Sequence, residues 1–231
     1  MTSRAPATGL PSLPTRAVIF DMDGVLVDTL EWWFQVRSAI VAAQGEPWTA
    51  ADEAATAGVN TRQWRARMHE RIGGDLTEDQ IERLVVDALA ERYAERTPAI
   101  DGAAETIKRL AIRYPLAVAS GSPPRLIEAA LAGLGVLDSI KVISSGDEVA
   151  IGKPAPDVFL LAAARLGVDP SECLVVEDSY NGILAASAAG MRSVLIPNAG
   201  SLVSEARAAA TYFQPSIKDL DPAILDRSGR N

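Results

Sequence analysis

Short unbroken apolar runs recur along the chain, and each breaks off in polar or glycine residues. Residues 18–20 (Val-Ile-Phe) run into Asp21, residues 116–119 into Ser120-Gly121-Ser122, residues 142–143 into Ser144-Ser145-Gly146, and residues 173–176 into Glu177 and Asp178. Residues 193–196 and 211–213 are further candidates. Runs of this kind predict strands buried on both faces of a parallel sheet. Between them the apolar spacing takes the helical period. Helices are predicted around Ile107, Leu110 and Ala111, after Pro123-Pro124, over 156–166 ending at Gly167, and over 180–189 stopping at Gly190. Alternating strands and helices predict an α/β fold with a doubly wound sheet.

A different regime fills residues 29–98. Leu30, Trp33, Phe34, Ile40 and Val41 recur at helical spacing, and Gly45 can end that helix. Trp64, Met68 and Ile72 make a four-residue stripe over 61–72. Thr77 and Gln80 form a capping-box pattern ahead of Ile81, Leu84, Val85, Ala88 and Leu89. With no convincing strand, this stretch predicts an all-helical insertion after the first strand. The expected division is a loose leader over 1–15, a core over 16–28 and 99–225, a helical cap over 29–98, and a frayed tail over 226–231.

Composition narrows the partners. The 231 residues are 48% hydrophobic and 23% charged, with a net charge of −8. That balance argues against nucleic acid or an anionic membrane as the main partner, because both need a basic face. No apolar run is long enough to span a bilayer, and residues 1–15 carry prolines without the apolar core of a secretory signal. The single cysteine, Cys173, excludes an intramolecular disulfide and suits a reducing cytoplasm. Oligomeric state is not readable from the residues, and a monomer is the default expectation.

The chemistry hangs from the strand ends, where open parallel sheets bind their ligands. Alternation points Asp21 and Asp23 to one side, and two adjacent carboxylates repel unless one is protonated or a cation sits between them. Ser120 with Gly121, and Glu177 with Asp178, end other strands, and Lys153 lies in a Gly-Lys-Pro loop. If these ends converge, they bring together four carboxylates, a hydroxyl, backbone amides and an ammonium. Such oxygen ligands suit Mg²⁺, and lysine and serine beside it suit a phosphoryl group. An aspartate there can attack phosphorus.

Asp21-Met-Asp-Gly-Val, Ala-Ser120-Gly-Ser, Gly-Lys153-Pro and Val-Val-Glu177-Asp178-Ser occur in that order, and the chain resembles the haloacid dehalogenase (HAD) superfamily over residues 16–213. The helical insertion matches the position of that family's small alpha-helical cap, as in its phosphoglycolate phosphatase and beta-phosphoglucomutase branch. The resemblance implies a Rossmann-like core and a Mg²⁺ cofactor. It implies Asp21 as nucleophile and Asp23 as general acid and base. Asp21, the Asp23 carbonyl and Asp178 would bind the metal, with Glu177 direct or through water. Ser120, Lys153 and amides near Met22 and Gly121 would hold the phosphoryl oxygens. Asp23 itself favours phosphoryl transfer, because the dehalogenase branch lacks that second acid.

The expected function is therefore a Mg²⁺-dependent phosphatase of a small phosphorylated metabolite such as a sugar phosphate. A hexose phosphomutase is the first alternative, but Trp33 stands where that branch is expected to carry a gating histidine. A non-catalytic metabolite-binding protein is the alternative of another class, against which the intact acids speak. Gly146 to Lys153 fails as a P-loop, because Asp147 and Pro154 occupy positions that need Gly and Ser or Thr. His69, the only histidine, reads as a surface or packing residue of the cap. Arg62, Arg65, Arg67 and Arg71 read as a solvated helix face, with Arg62 and Arg65 as minority candidates for an anionic substrate tail. Trp32 and Trp33 read as cap core, with Trp33 the candidate to face the cleft.

Overall fold

The computed structural model describes residues 14–74, 76–198 and 203–223. Most of the expected leader and all of the expected frayed tail lie outside these residues. One parallel sheet contains β1 (Ala17–Phe20), β2 (Leu116–Ser120), β3 (Val142–Ser145), β4 (Cys173–Glu177), β5 (Arg192–Leu195) and β6 (Tyr212–Phe213), in the order β3-β2-β1-β4-β5-β6. The first strand in sequence is thus central, flanked by β2 and β4.

Cover on both faces explains why the three central strands are apolar up to their last residue. Val18 and Phe20 face one side with Leu116, Val118, Leu174 and Val176, where α5 (Ala103–Ala111) and α6 (Pro124–Gly133) supply Ile107, Leu110, Leu126 and Ile127. Ala17 and Ile19 face the other side with Ala117, Ala119 and Val175, where α7 (Asp157–Leu166) and α8 (Tyr180–Ala188) supply Phe159, Ala162, Ala185 and Ala186. Helices on both faces leave no polar side to the sheet. Fully burying a side chain such as Phe159 stabilises the fold by roughly 1.5–3 kcal/mol. Cys173 opens β4 fully buried, and burial together with Asp169 and Glu172 pushes its thiol up to about 11.

After β1 the chain turns tightly. The Met22 carbonyl accepts from Leu26 N at 2.8 Å, and Gly24 N donates to the Val27 carbonyl at 2.8 Å. Asp28 N then donates to the Pro98 carbonyl and Ile100 N to the Leu26 carbonyl, clasping the outgoing and returning chains together. Between those points lie α1 (Leu30–Ala42), α2 (Ala50–Thr56), α3 (Thr61–Ile72) and α4 (Glu78–Glu95). Trp64 and Met68 of α3 and Ile81, Val85 and Leu89 of α4 are buried together in this cap. Thr77 and Gln80 make the capping box expected of them.

Two helices differ from the sequence expectation. α2 is alanine-rich and has no apolar stripe, so periodicity hides it; a Thr49–Asp52 capping box starts it instead. α9 (Val203–Ala209) is also unanticipated, being short and largely alanine and polar residues. The loop joining α2 to α3 and the first turn of α3 rest on the core. Gly152 N donates to Gln63 Oε1 at 3.0 Å, and Asn181 Nδ2 donates to the Ala57 carbonyl at 3.2 Å. No described helix is long and apolar enough to cross a membrane.

Candidate active site

Strand register brings the predicted residues together. Phe20 is level with Val118 of β2 and with Val176 of β4, so Asp21, Ser120 and Glu177 emerge from neighbouring strands at one edge. Asp21 N still pairs with the Val176 carbonyl at 2.9 Å, which fixes where its side chain starts.

Lys153 enters from the loop before α7 and is 2% exposed. Its Nζ donates to Asp21 Oδ1 at 2.7 Å and to Glu177 Oε1 at 2.6 Å, and sits 4.8 Å from the centre of the Phe159 ring. Burial alone would favour neutral lysine, but the two carboxylates outweigh it and hold the ammonium above its ordinary value. Glu177 is committed on both oxygens. Its Oε2 accepts from the amides of Asp178 and Ser179 and from Ser179 Oγ.

Asp21, Glu177 and Asp178 each offer a carboxylate oxygen, and these oxygens lie within 4.8 Å of one another in a buried cluster. Burial drives the Asp21 carboxyl up to about 7 against the pull of Lys153, with Glu177 and Asp23 adding to the rise. Burial also raises Asp178, reinforced by Glu177 and Asp21. Crowded, buried, all-oxygen donors of this kind fit a hard divalent cation.

The Asp23 carboxylate faces a different set of partners. Its Oδ1 accepts from Thr29 Oγ1 and, at 3.1 Å, from the Trp33 indole N–H. Its Oδ2 accepts from Ser122 Oγ at 2.7 Å and from Ser120 Oγ at 3.4 Å. Asp23 therefore adds no carboxylate oxygen to the acidic cluster; only its backbone carbonyl remains as the donor expected of it. Gly121 packs under the cap, where a Cβ would come within 2.6 Å of the Val59 carbonyl oxygen.

A cavity of about 420 Å³ lies between cap and core above these groups, walled by Trp33, Phe34 and Trp64 and reached by Arg37. Sequence reasoning missed Arg37, Ser122 and Thr29. Thr29 could have been flagged as the residue preceding α1, but its hydroxyl serves Asp23 and makes no cap bond to the helix. Ser122 lies two residues past Ser120 and was available to the same strand-end logic. Arg65 is tied to Glu78, Asp79 and Glu82, and Arg67 to Asp52, while Arg62 is exposed. None of the three lines the cavity. His69 Nδ1 is 2.9 Å from the Leu76 carbonyl within the cap.

A family model described as haloacid dehalogenase-like hydrolase matches residues 15–190. The chain belongs to this family. It is 33% identical to hexitol phosphatase B of Escherichia coli (strain K12) over 187 residues, covering 78% of this chain and 83% of that protein. It is 34% identical to the fructose-1-phosphate phosphatase YqaB of the same organism over 180 residues, covering 77% and 94%. The crystal structure of beta-phosphoglucomutase from Clostridium difficile superimposes with a TM-score of 0.81 at 22% identity, covering 93% of this chain and 97% of that one. The superposition shows that the two chains share a fold.

Proposed function

We propose that this phosphoric monoester hydrolase is a Mg²⁺-dependent phosphatase that hydrolyses a small phosphorylated metabolite, a sugar phosphate foremost, through a phosphoryl group carried on Asp21. The observation that carries the reading is the separation of two carboxylates at one strand end. Asp21 is held by a charged lysine within a cluster of acids, and Asp23 is held by hydroxyl and indole donors two residues away. Two carboxylates in different environments can take different roles.

Asp21 Oδ attacks phosphorus, and the bond to the ester oxygen breaks. Asp23 lies on the cap side, protonates the leaving oxygen, then takes a proton from the water that cleaves the aspartyl phosphate. Ser120, Lys153 and the main chain at Gly121 hold the phosphoryl oxygens. Glu177 keeps Lys153 charged and in place. Asp21, Asp178 and the Asp23 carbonyl, with Glu177 direct or through water, would hold Mg²⁺, which when bound neutralises charge on the phosphoryl group. Cap and core enclose the cavity, which limits bulk water and selects the ester. The relatives named as hexitol and fructose-1-phosphate phosphatases support this substrate class.

Phosphate release from a panel of sugar phosphates, phosphoglycolate and nucleotides tests the reading, with Asp21→Asn as control. The substitution keeps the shape and removes the attacking charge, so turnover falls by about three orders of magnitude or more. Near-normal turnover by Asp21→Asn overturns the mechanism.

A further inference from the structure

The cavity has a second polar locus, in the cap and apart from the strand ends. Arg37 projects from α1 and is 5% exposed. Its guanidinium carbon lies 4.5 Å from the centre of the Trp33 ring and 5.5 Å from that of Trp64. Nη1 donates to Glu53 Oε1 at 2.7 Å and to Thr56 Oγ1 at 3.1 Å. Glu53 is fixed in turn by the Trp48 indole N–H, 2.7 Å from its Oε2. Arg37 Nε is buried with no hydrogen-bond partner among the described residues, and Nη2 has none there either.

A buried donor without an acceptor costs about 1–3 kcal/mol. Arg37 reaches the cavity that holds Asp21 and Asp23. A ligand in that cavity can supply an acceptor to Nη2, the unpartnered nitrogen that is not sealed from solvent, and the charges around Arg37 decide what kind. Glu53 neutralises Arg37 at 2.7 Å, and both residues line the cavity. Among the described residues lining it, Arg37 is the one cation, and Glu53 is the acid beside it. The surrounding wall is aromatic and aliphatic, so charge there is poorly screened. A second phosphate would meet a guanidinium already paired with a carboxylate. An uncharged hydroxyl or carbonyl oxygen would meet the open Nη2 donor without that repulsion.

We infer that the Arg37–Glu53 pair is a specificity element that binds the uncharged oxygens at the far end of a phosphate monoester and rejects a second phosphate there. This rests on the phosphatase reading for its reaction but not for its binding. Glu53 supplies the rejection and Arg37 the attraction, as specificity built from both signs requires.

The probes are fructose 1-phosphate, fructose 1,6-bisphosphate and p-nitrophenyl phosphate, which has no hydroxylated end. kcat/KM is measured for wild type, Arg37→Lys, Arg37→Met and Glu53→Gln, and the affinities of the two fructose esters are measured by calorimetry on the same substitutions in Asp21→Asn protein. Wild type favours fructose 1-phosphate over the bisphosphate. Arg37→Met and Arg37→Lys each lower the fructose 1-phosphate value at least about tenfold more than the p-nitrophenyl phosphate value, the scale of one lost charged hydrogen bond. Glu53→Gln raises the bisphosphate-to-monophosphate ratio at least about tenfold. A destabilised variant cannot produce that gain. The calorimetric affinities show the same order even if no ester is turned over, so failure of the phosphatase reading and failure of this one give different results. Preference of wild type for the bisphosphate, or an unchanged ratio in Glu53→Gln, overturns the inference.

Discussion

The Trp33 indole N–H donates to Asp23 Oδ1 across 3.1 Å, so the first helix of the cap holds the second carboxylate of the core. A histidine in this place would change charge near neutral pH and could couple the acid to cap movement. An indole N–H is a fixed donor that does not titrate. Ser122 and Thr29 hold the same carboxylate from the core and from the start of α1. Asp23 is therefore placed by residues that need no particular sugar to bring them together.

Trp33→Phe keeps much of the edge-on packing against Trp64, whose ring centre lies 5.9 Å away, and removes the donor. Losing a hydrogen bond to a charged group corresponds to about 1.5–3 kcal/mol, so kcat falls about ten- to a hundredfold while KM moves less. Steady-state kinetics on the preferred ester decide it; an unchanged kcat removes Trp33 from the positioning of Asp23. Incubation with beta-glucose 1-phosphate and a trace of the 1,6-bisphosphate should release inorganic phosphate where that sugar binds. Efficient formation of glucose 6-phosphate with little free phosphate would favour a mutase instead.

Lys153→Met should be costly in a pH-dependent way. It leaves Asp21 and Glu177 facing each other in a buried site, and breaking a buried pair by removing one partner costs about 3–5 kcal/mol. For a chain of this size that is a fall in Tm of roughly 10 °C. Burial already raises Asp21, and Lys153 opposes that rise. Without the lysine, the folded protein binds protons more tightly than the unfolded chain, whose carboxylates titrate near pH 4. Its stability then falls as pH rises from that value through the raised carboxyl range. The Tm deficit against wild type, in metal-free buffer, should be larger at pH 8 than at pH 5.5. An equal deficit at both would show that packing of the lysine stem, not its charge, is what was lost.

Much of this site was legible because strand ends announce themselves. Asp21, Ser120 and Glu177 each follow an apolar run that only a doubly covered strand explains, and parallel register then sets them side by side. Lys153 became legible only beside the other three motifs, since a loop lysine is ordinarily solvated. The cap was less readable for a physical reason. Its arginines at 62, 65, 67 and 71 draw the eye by clustering, but proximity along a helix does not say what faces the cavity. Arg65 and Arg67 are spent on cap acids, and Arg37, isolated in an apolar helix, is the one that reaches the cavity. α2 was hidden because alanine carries no amphipathic signal.

Gly182→Ala separates helix propensity from site geometry. In an ordinary helix interior the change would gain about 1 kcal/mol. Here an added Cβ would lie 1.8 Å from Glu177 Oε1 and 1.9 Å from its Cδ, so the glutamate must move. Moving it breaks the contact with Lys153 and the bonds to the Asp178 and Ser179 amides. We expect a lower Tm and a fall in kcat of about tenfold or more, the loss of one charged hydrogen bond being enough for that. A more stable and fully active Gly182→Ala protein would mean that Glu177 has room to move without cost.

The last prediction concerns metal and uses stability as well as turnover. Chelation should abolish phosphate release and added Mg²⁺ restore it, because charge on the transferring group is otherwise unscreened. Ca²⁺ should restore little, since its longer and looser coordination misplaces Asp21. Independently of any substrate, Mg²⁺ at about 100 times its Kd should add about 2.7 kcal/mol to the folded state, because the unfolded chain has no assembled site. Asp178→Asn should lose that increment while already being more stable than wild type in chelator, since it removes a carboxylate crowded by Asp21 and Glu177. Crossing of the two Tm curves as Mg²⁺ is titrated is the signature of a cluster built for a cation. Full activity in excess chelator, with a Mg²⁺-independent Tm in wild type, would leave the three acids without the role given to them.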